Sequence, residues 1–197
     1  MKNSILIKNG RIINQGKIYR SDIYIEDEII KEISPSISLK LSDTITIDAE
    51  DNYVIPGLID DQVHFREPGL THKGDIYTES RAAVAGGITS FLEMPNTIPQ
   101  TITQDKLKEK FTIASKKSIA NYSFMFGGTN NNINEILELD FKEVPALKIF
   151  LGSSTGNMLL DNLDALEEIF LKCNLPIAVH CEDENTIREN LKLYTDI

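Results

Sequence analysis

The chain has 197 residues, with 20 lysines and arginines against 30 aspartates and glutamates, so its formal net charge is −10. A composition of 41% hydrophobic and 25% charged residues is that of a globular protein, not of a disordered or fibrous one. So acidic a chain lacks the basic surface that nucleic-acid binding requires, and no apolar run is long enough to span a membrane. Cys173 and Cys181 make no disulfide framework and no signal-peptide pattern is seen, so we expect a cytoplasmic protein.

Residues 1–55 carry short segments in which polar and apolar residues alternate, as in half-buried strands. Asn9-Gly10, between two such segments, is the strongest two-residue signal for a hairpin. No stretch here keeps a helical period over three turns. We therefore predict a small antiparallel sheet, forming a domain of its own over residues 1–55.

From Pro56 onward, apolar strands alternate with helical segments. The predicted strands cover 58–65, 88–94, 119–126, 146–151 and 176–181, and Thr103 is the expected cap of one intervening helix. Alternation of this kind predicts an α/β fold with a parallel sheet. A complete eight-stranded barrel needs about 250 residues, but about 140 remain here. On strand count alone, a doubly wound sheet is equally compatible.

Residues with ligand-type side chains stand at the ends of these strands, where parallel α/β folds place their active sites. Gln62 and His64 are two apart, so in a strand both point to one side and could bind one metal ion. Arg66 continues that face and offers a fork for a carboxylate. The alternative is that His64 is an ordinary hydrogen-bonded histidine. His72 lies in a loop, where we expect it to be solvated.

Lys148 interrupts the apolar strand 146–151. Burial lowers the pKa of a lysine, and a neutral amine can capture carbon dioxide as a carbamate, an anionic ligand able to bridge two cations. Alternatively, the side chain snorkels to the end of the strand.

His180 stands at the end of the next apolar strand, and Cys181 beside it should point to the opposite, packed side. Together His64, Lys148 and His180 supply nitrogen and oxygen donors suited to Zn²⁺.

Polar residues follow other strands as well. Asn96 could hold a polar substrate through its amide, or it could form an Asx-turn. The run Gly152–Asn157 resembles a phosphate loop only in composition and lacks the lysine of that motif, so we expect no nucleotide site. Asp183 and Glu184 are expected to cap the last helix.

Six motifs along the chain resemble those of the dihydroorotase family of the amidohydrolase superfamily, in the same order. They are Pro56–Asp60, His64–Gly69, Ala85–Thr89, Met94–Thr97, Leu147–Ile149 and Val179–Glu182. The resemblance implies a TIM-like (β/α)8 barrel of which 56–197 form the first five βα units. It also implies that residues 1–55 are part of a small β-sandwich.

The same resemblance implies a function. The family hydrolyses dihydroorotate reversibly to N-carbamoyl-aspartate in pyrimidine synthesis, with a metal-activated water and a catalytic aspartate at the end of the eighth strand. It assigns His64, His180 and a carboxylated Lys148 as zinc ligands. Arg66 and Asn96 would bind the substrate carboxylate. A homodimer, or association with aspartate carbamoyltransferase, is the expected assembly.

Two departures from the family pattern qualify this expectation. The usual His-x-His is Gln62-Val63-His64 here, so Gln62 is a doubtful ligand and one or two zinc ions could bind. The catalytic aspartate is expected beyond Ile197, so we expect these 197 residues alone to be inactive. A non-catalytic scaffold subunit is the alternative from another class, and dihydropyrimidinase or allantoinase activity is the alternative within the enzymes.

Overall fold

The computed structural model describes residues 4–39, 43–152 and 158–194, and in these ranges the chain forms two compact units, Met1–Gly57 and Leu58–Ile197. Within these ranges, no helix is both long and apolar enough to cross a membrane. Most of the glycine-rich run, residues 153–157, lies outside the described residues.

The described part of the first unit is a mixed sheet, not the wholly antiparallel one that the sequence predicts. Its strands are β1 (Ser4–Asn14), β2 (Lys17–Glu26), β3 (Ile29–Ser34), β4 (Thr44–Asp48) and β5 (Tyr53–Val54). The pairs β1–β2 and β2–β3 are antiparallel, whereas β4 and β5 both run parallel to β1. The prediction failed because the order β3-β2-β1-β4 places β4 on the other edge of β1.

The predicted hairpin at Asn9-Gly10 is also wrong, because β1 runs through these residues. The register with β2 shifts between Ile7 and Gly10, and Asn9 has a φ of 57°. The Asp22 carboxylate accepts a hydrogen bond from the Asn9 backbone N–H at 2.9 Å, which holds this bulge in place. The turn lies instead at Gln15-Gly16, where both φ angles are positive, as a tight hairpin requires.

The second unit alternates strands and helices in its described part, as predicted. The strands are β6 (Leu58–Val63), β7 (Ile88–Glu93), β8 (Asn121–Phe124), β9 (Phe126–Gly127), β10 (Leu147–Phe150) and β11 (Ile177–His180). The helices are α1 (Ile76–Ala85), α2 (Gln104–Lys117), α3 (Ile133–Leu137), α4 (Leu163–Lys172) and α5 (Glu184–Tyr194). Each strand pair in this unit is parallel.

Strands β8 and β9 are two halves of one predicted strand, separated by Met125. The first half pairs with β7 and the second half with β10. The backbone N–H of Met125 donates to the Glu93 carbonyl at 3.0 Å, and that of Phe126 donates to the Ala146 carbonyl at 3.2 Å. One stretch of chain thus joins the strand set β6-β7-β8 to the set β9-β10-β11.

Side-chain caps start four of the five described helices, all but α3, and apolar packing holds the helices against the strands. The Asp75 carboxylate accepts from the Thr78 N–H in a capping box, and the Thr103 hydroxyl caps α2 as predicted. Asp183 accepts from the Thr186 N–H at 2.7 Å, which is the cap expected at the start of α5. The main core contains Phe65, Phe91, Leu107, Phe124, Phe126, Leu147, Ile149 and Ile169, among others.

Candidate active site

His64 and Asn96 meet at the carboxyl ends of β6 and β7. The His64 Nδ1 lies 3.0 Å from the Asn96 side-chain oxygen. An amide oxygen can only accept a hydrogen bond, so Nδ1 carries the proton and Nε2 keeps its lone pair. Val63 and Phe65, on either side of His64, are buried in the core, which turns His64 to the other face of the strand. The structure therefore presents His64 as a free nitrogen ligand.

The electrostatic surroundings keep His64 neutral. Desolvation, together with the positive charges of Arg66 and Lys148, lowers its pKa below the ordinary value, against the opposing effect of the Asn96 hydrogen bond. A neutral imidazole is the form that binds metal ions.

Arg66 combines a constrained backbone with an unused guanidinium nitrogen. Its φ is 71°, a conformation that L-residues rarely adopt. Its backbone N–H donates to the Glu93 carboxylate at 3.1 Å. Its Nη1 is buried and has no hydrogen-bond partner among the described residues. A buried cationic donor without a partner is costly, so this atom is suited to an anionic ligand.

Lys148 is buried in the middle of β10, with 3% of its surface exposed. Desolvation lowers its pKa, and the Cys181 thiol opposes part of that shift. Its Nζ lies 5.2 Å from the centre of the Phe150 ring, and no carboxylate pairs with it in the described part of the chain. The side chain does not snorkel to solvent, which removes the simpler of the two interpretations.

His180 ends β11, the strand that pairs with the strand of Lys148. Lys148 pairs with Ala178 in the parallel register, and Phe150 pairs with His180. The His180 Nε2 lies 3.1 Å from a Glu182 carboxylate oxygen. Gly152 leaves room for Glu182, since a Cβ there would come within 2.3 Å of the Glu182 Cβ. The expectation that the Cys181 thiol is packed, on the side opposite His180, is wrong, because Cys181 is exposed.

The remaining sequence candidates lie at the surface. Gln62 is exposed on β6, two residues before His64, and its backbone N–H donates to the Asp60 carboxylate at 3.1 Å. His72 is exposed in its loop, as expected. In the ranges that the structure describes, no three histidine, cysteine, aspartate or glutamate side chains come together as a metal-binding group.

Residues 53–195 match the sequence profile of the Amidohydrolase family. The chain belongs to the amidohydrolase family. This membership agrees with the resemblance that the six sequence motifs carry, and it covers the whole parallel-stranded unit.

Known relatives of this amidohydrolase include two archaeal dihydroorotases. That of Methanosphaera stadtmanae is 34% identical over 192 residues, which cover 96% of this chain and 42% of that protein. That of Methanosarcina acetivorans is 39% identical over 184 residues, which cover 91% of this chain and 39% of that protein. The chain thus spans less than half the length of these curated relatives.

Among solved structures, the L-hydantoinase (dihydropyrimidinase) from Arthrobacter aurescens is similar over 100% of this chain and 44% of its own. The TM-score is 0.91 and the sequence identity is 30%. The likeness confirms the predicted fold class, an α/β portion of a TIM-barrel hydrolase.

The residues of this amidohydrolase fit a bound metal ion. His64 offers the lone pair of Nε2, and His180 stands on the strand that pairs with that of Lys148, two positions beyond the residue opposite Lys148. Lys148 is buried without a described carboxylate partner, which favours a neutral amine able to form a carbamate. Two imidazoles and a carbamate oxygen are donors that Zn²⁺ prefers.

Sequence reasoning missed a buried ion pair behind the site. Glu93 and Lys110 are almost fully buried, and their charged groups lie 2.8 Å apart. Glu93 is the lone acid in an apolar strand, and Lys110 shares a helical face with Leu107 and Ala114. These two anomalies were visible in the sequence, but their pairing over seventeen residues of separation is a tertiary contact that local patterns do not specify.

Proposed function

We propose that this amidohydrolase is a dihydroorotase, which hydrolyses the ring amide of dihydroorotate reversibly to N-carbamoyl-aspartate in pyrimidine biosynthesis. The observation that carries the proposal is the buried Nη1 of Arg66, which lacks a partner in the described part of the chain and lies in the electrostatic range of His64. Dihydroorotate carries a carboxylate beside its hydrolysable ring, whereas hydantoin and dihydrouracil rings lack one. The dihydroorotases among the relatives support the same choice.

In this proposal, substrate and metal occupy adjoining parts of one site. Arg66 forms the charge-assisted hydrogen bonds to the substrate carboxylate, and the Asn96 amide NH₂ is free to donate because its oxygen is engaged by His64. His64, His180 and a carboxylated Lys148 hold zinc, with Gln62 as a weaker amide donor. When bound, zinc supplies Lewis-acid activation of water and of the amide carbonyl.

The proposal is tested with the protein expressed from its complete gene. Hydrolysis of dihydroorotate, hydantoin and allantoin is compared for the wild type, Arg66→Met and the surface control Arg81→Met. We expect dihydroorotate to be the preferred substrate and Arg66→Met to lower kcat/KM for it about 100-fold, with the Arg81→Met value unchanged. Preference for hydantoin, or no effect of Arg66→Met, would contradict the assignment.

A second candidate function is a non-catalytic scaffold, in a homodimer or with aspartate carbamoyltransferase. Gln62 favours it, because a neutral amide stands where the family pattern has a histidine. The test is the variant Gln62→His, assayed for dihydroorotate hydrolysis and for zinc content beside the wild type. Activity in the variant alone would support the scaffold. An active wild type, with zinc bound, would support the enzyme.

A further inference from the structure

The Glu93 carboxylate holds the backbone at Arg66 through a hydrogen bond. One carboxylate oxygen of Glu93 accepts a hydrogen bond from the Arg66 N–H at 3.1 Å. Arg66 has a φ of 71°, so an outside contact is needed to keep this L-residue in the left-handed region. Glu93 provides that contact from the last position of β7.

Lys110 in turn holds Glu93 and the start of the loop after β7. Its Nζ lies 2.8 Å from the second oxygen of Glu93 and donates to the Met94 carbonyl at 2.9 Å. The Phe124 ring lies 5.1 Å from the same nitrogen, and both charged side chains are at most 1% exposed. Met94 is two residues before Asn96, so Lys110 contacts the backbone that leads to the second proposed substrate ligand.

Helix α2 reaches the other side of the loop as well. Lys117, seven residues after Lys110 and on the same face, forms an ion pair with Glu67. Glu67 also accepts from the Ile76 N–H at 3.0 Å and is buried. Two ion pairs therefore connect the segment around Arg66 to helix α2. One joins Glu93 to Lys110, and the other joins Glu67 to Lys117.

We propose that Glu93 and Lys110 are positioning residues for substrate binding, which fix Arg66 and Asn96 in the geometry that holds the substrate carboxylate. The inference rests on the proposed function, since it needs an anion on Arg66. A purely structural ion pair could lie anywhere in the core. This one makes its described hydrogen bonds to the backbone of the two loops that carry Arg66 and Asn96.

The kinetic test uses the protein expressed from its complete gene and dihydroorotate as the substrate. Lys110→Met should raise KM about 10-fold and change kcat less than about threefold, because Arg66 is displaced but the reacting groups are not. The double variant Glu93→Gln/Lys110→Met keeps an acceptor for the Arg66 N–H and leaves no unpaired charge, so its KM should recover to within about threefold of the wild type. Lys106→Met, which removes an exposed ion pair on the same helix, is the matched control.

Coupling to Arg66 separates positioning from a structural role. In an Arg66→Met background, Lys110→Met should have a clearly smaller effect on KM, because only Asn96 is left for it to position. An equal effect of Lys110→Met with and without Arg66, or a loss confined to the amount of folded protein, would overturn the inference.

Amide hydrogen exchange gives a readout that does not depend on hydrolysis. Glu93→Ala/Lys110→Met removes the acceptor and should speed exchange at the Arg66 N–H about 10-fold or more, while the Leu147 N–H in β10 stays protected. Unchanged exchange at Arg66 would refute the positioning role. If the wild type does not hydrolyse dihydroorotate, the proposed function fails, and exchange at Arg66 still decides whether Glu93 and Lys110 hold this loop.

Discussion

Two lysines in the described part of the second unit are buried, and their surroundings differ in one respect. Lys110 has the Glu93 carboxylate at 2.8 Å, whereas Lys148 has an aromatic ring and a thiol near it but no described carboxylate. Desolvation lowers the pKa of both amines, and Glu93 opposes the shift only at Lys110. The difference is that Lys110 is paired within the fold, whereas the Lys148 amine, which has no described carboxylate partner, is available for the carbamate that we propose.

The largest expected effect is on catalysis and follows from Lys148→Met. Removing the amine removes the carbamate ligand, so hydrolysis should fall by a factor on the order of a thousand or more. Bound zinc, measured by atomic absorption, should fall with it. The metal-free variant should be more stable than the metal-free wild type by about 1 kcal/mol, because an unpaired buried amine is lost. Full activity with full zinc content would show that Lys148 is not a ligand.

The same substitution at Lys110 should act on stability in the opposite direction. Lys110→Met leaves Glu93 buried without its partner, so the free energy of unfolding should fall by about 3–5 kcal/mol. Urea denaturation measures this, with Lys106→Met as a control expected to lie within about 0.5 kcal/mol of the wild type. Equal effects of Lys110→Met and Lys148→Met on the free energy of unfolding would contradict the conclusion that, of these two lysines, only Lys110 has a stabilising partner in the described part of the chain.

Gly69→Ala should weaken the loop that Glu93 and Glu67 hold. Gly69 has a φ of 83°, and a Cβ there would lie 1.9 Å from the Ile98 carbonyl oxygen. The backbone strain and the clash together should lower the free energy of unfolding by about 3 kcal/mol. Gly16→Ala is the matched control, with a φ of 71° and open space, and should cost about 1 kcal/mol. If both variants lose a similar free energy of unfolding, the close approach of Ile98 to Gly69 does not contribute to the cost of the substitution.

The smallest expected effect concerns the helix that carries Lys110. The Thr103 hydroxyl accepts from the Lys106 N–H at 3.3 Å, so Thr103→Ala should cost about 1 kcal/mol of unfolding free energy by losing the cap. Ser115→Ala, on the exposed side of the same helix, should change it by less than about 0.5 kcal/mol. A loss for Thr103→Ala no larger than for Ser115→Ala would mean that packing alone fixes the start of α2.

The two lysines also show which features of the site can be predicted from the sequence and which cannot. Lys148 was found because a charge interrupts an apolar strand, and the alternation of strands and helices predicted its place at one end of a parallel sheet. Lys110 was missed although it lies on the apolar face of its helix, because its partner Glu93 is specified only by the packing of α2 against the sheet. The hairpin prediction at Asn9-Gly10 failed for a similar reason. The same two residue types suit a bulge, and the contact with Asp22 that holds this bulge is a tertiary one.

The way in which strands follow one another has a consequence for how the chain folds. In the second unit, β7 and β8 each pair with the strand before them in the chain, as do β10 and β11, and β8 and β9 are separated only by Met125. A strand that pairs with the one before it therefore joins a strand that has already formed. The loop that closes then spans only one strand–helix unit, so the entropic cost of closing it stays small. This order suits folding during synthesis on the ribosome, with the Arg66 loop and its two ion pairs completed before β10 and β11 emerge.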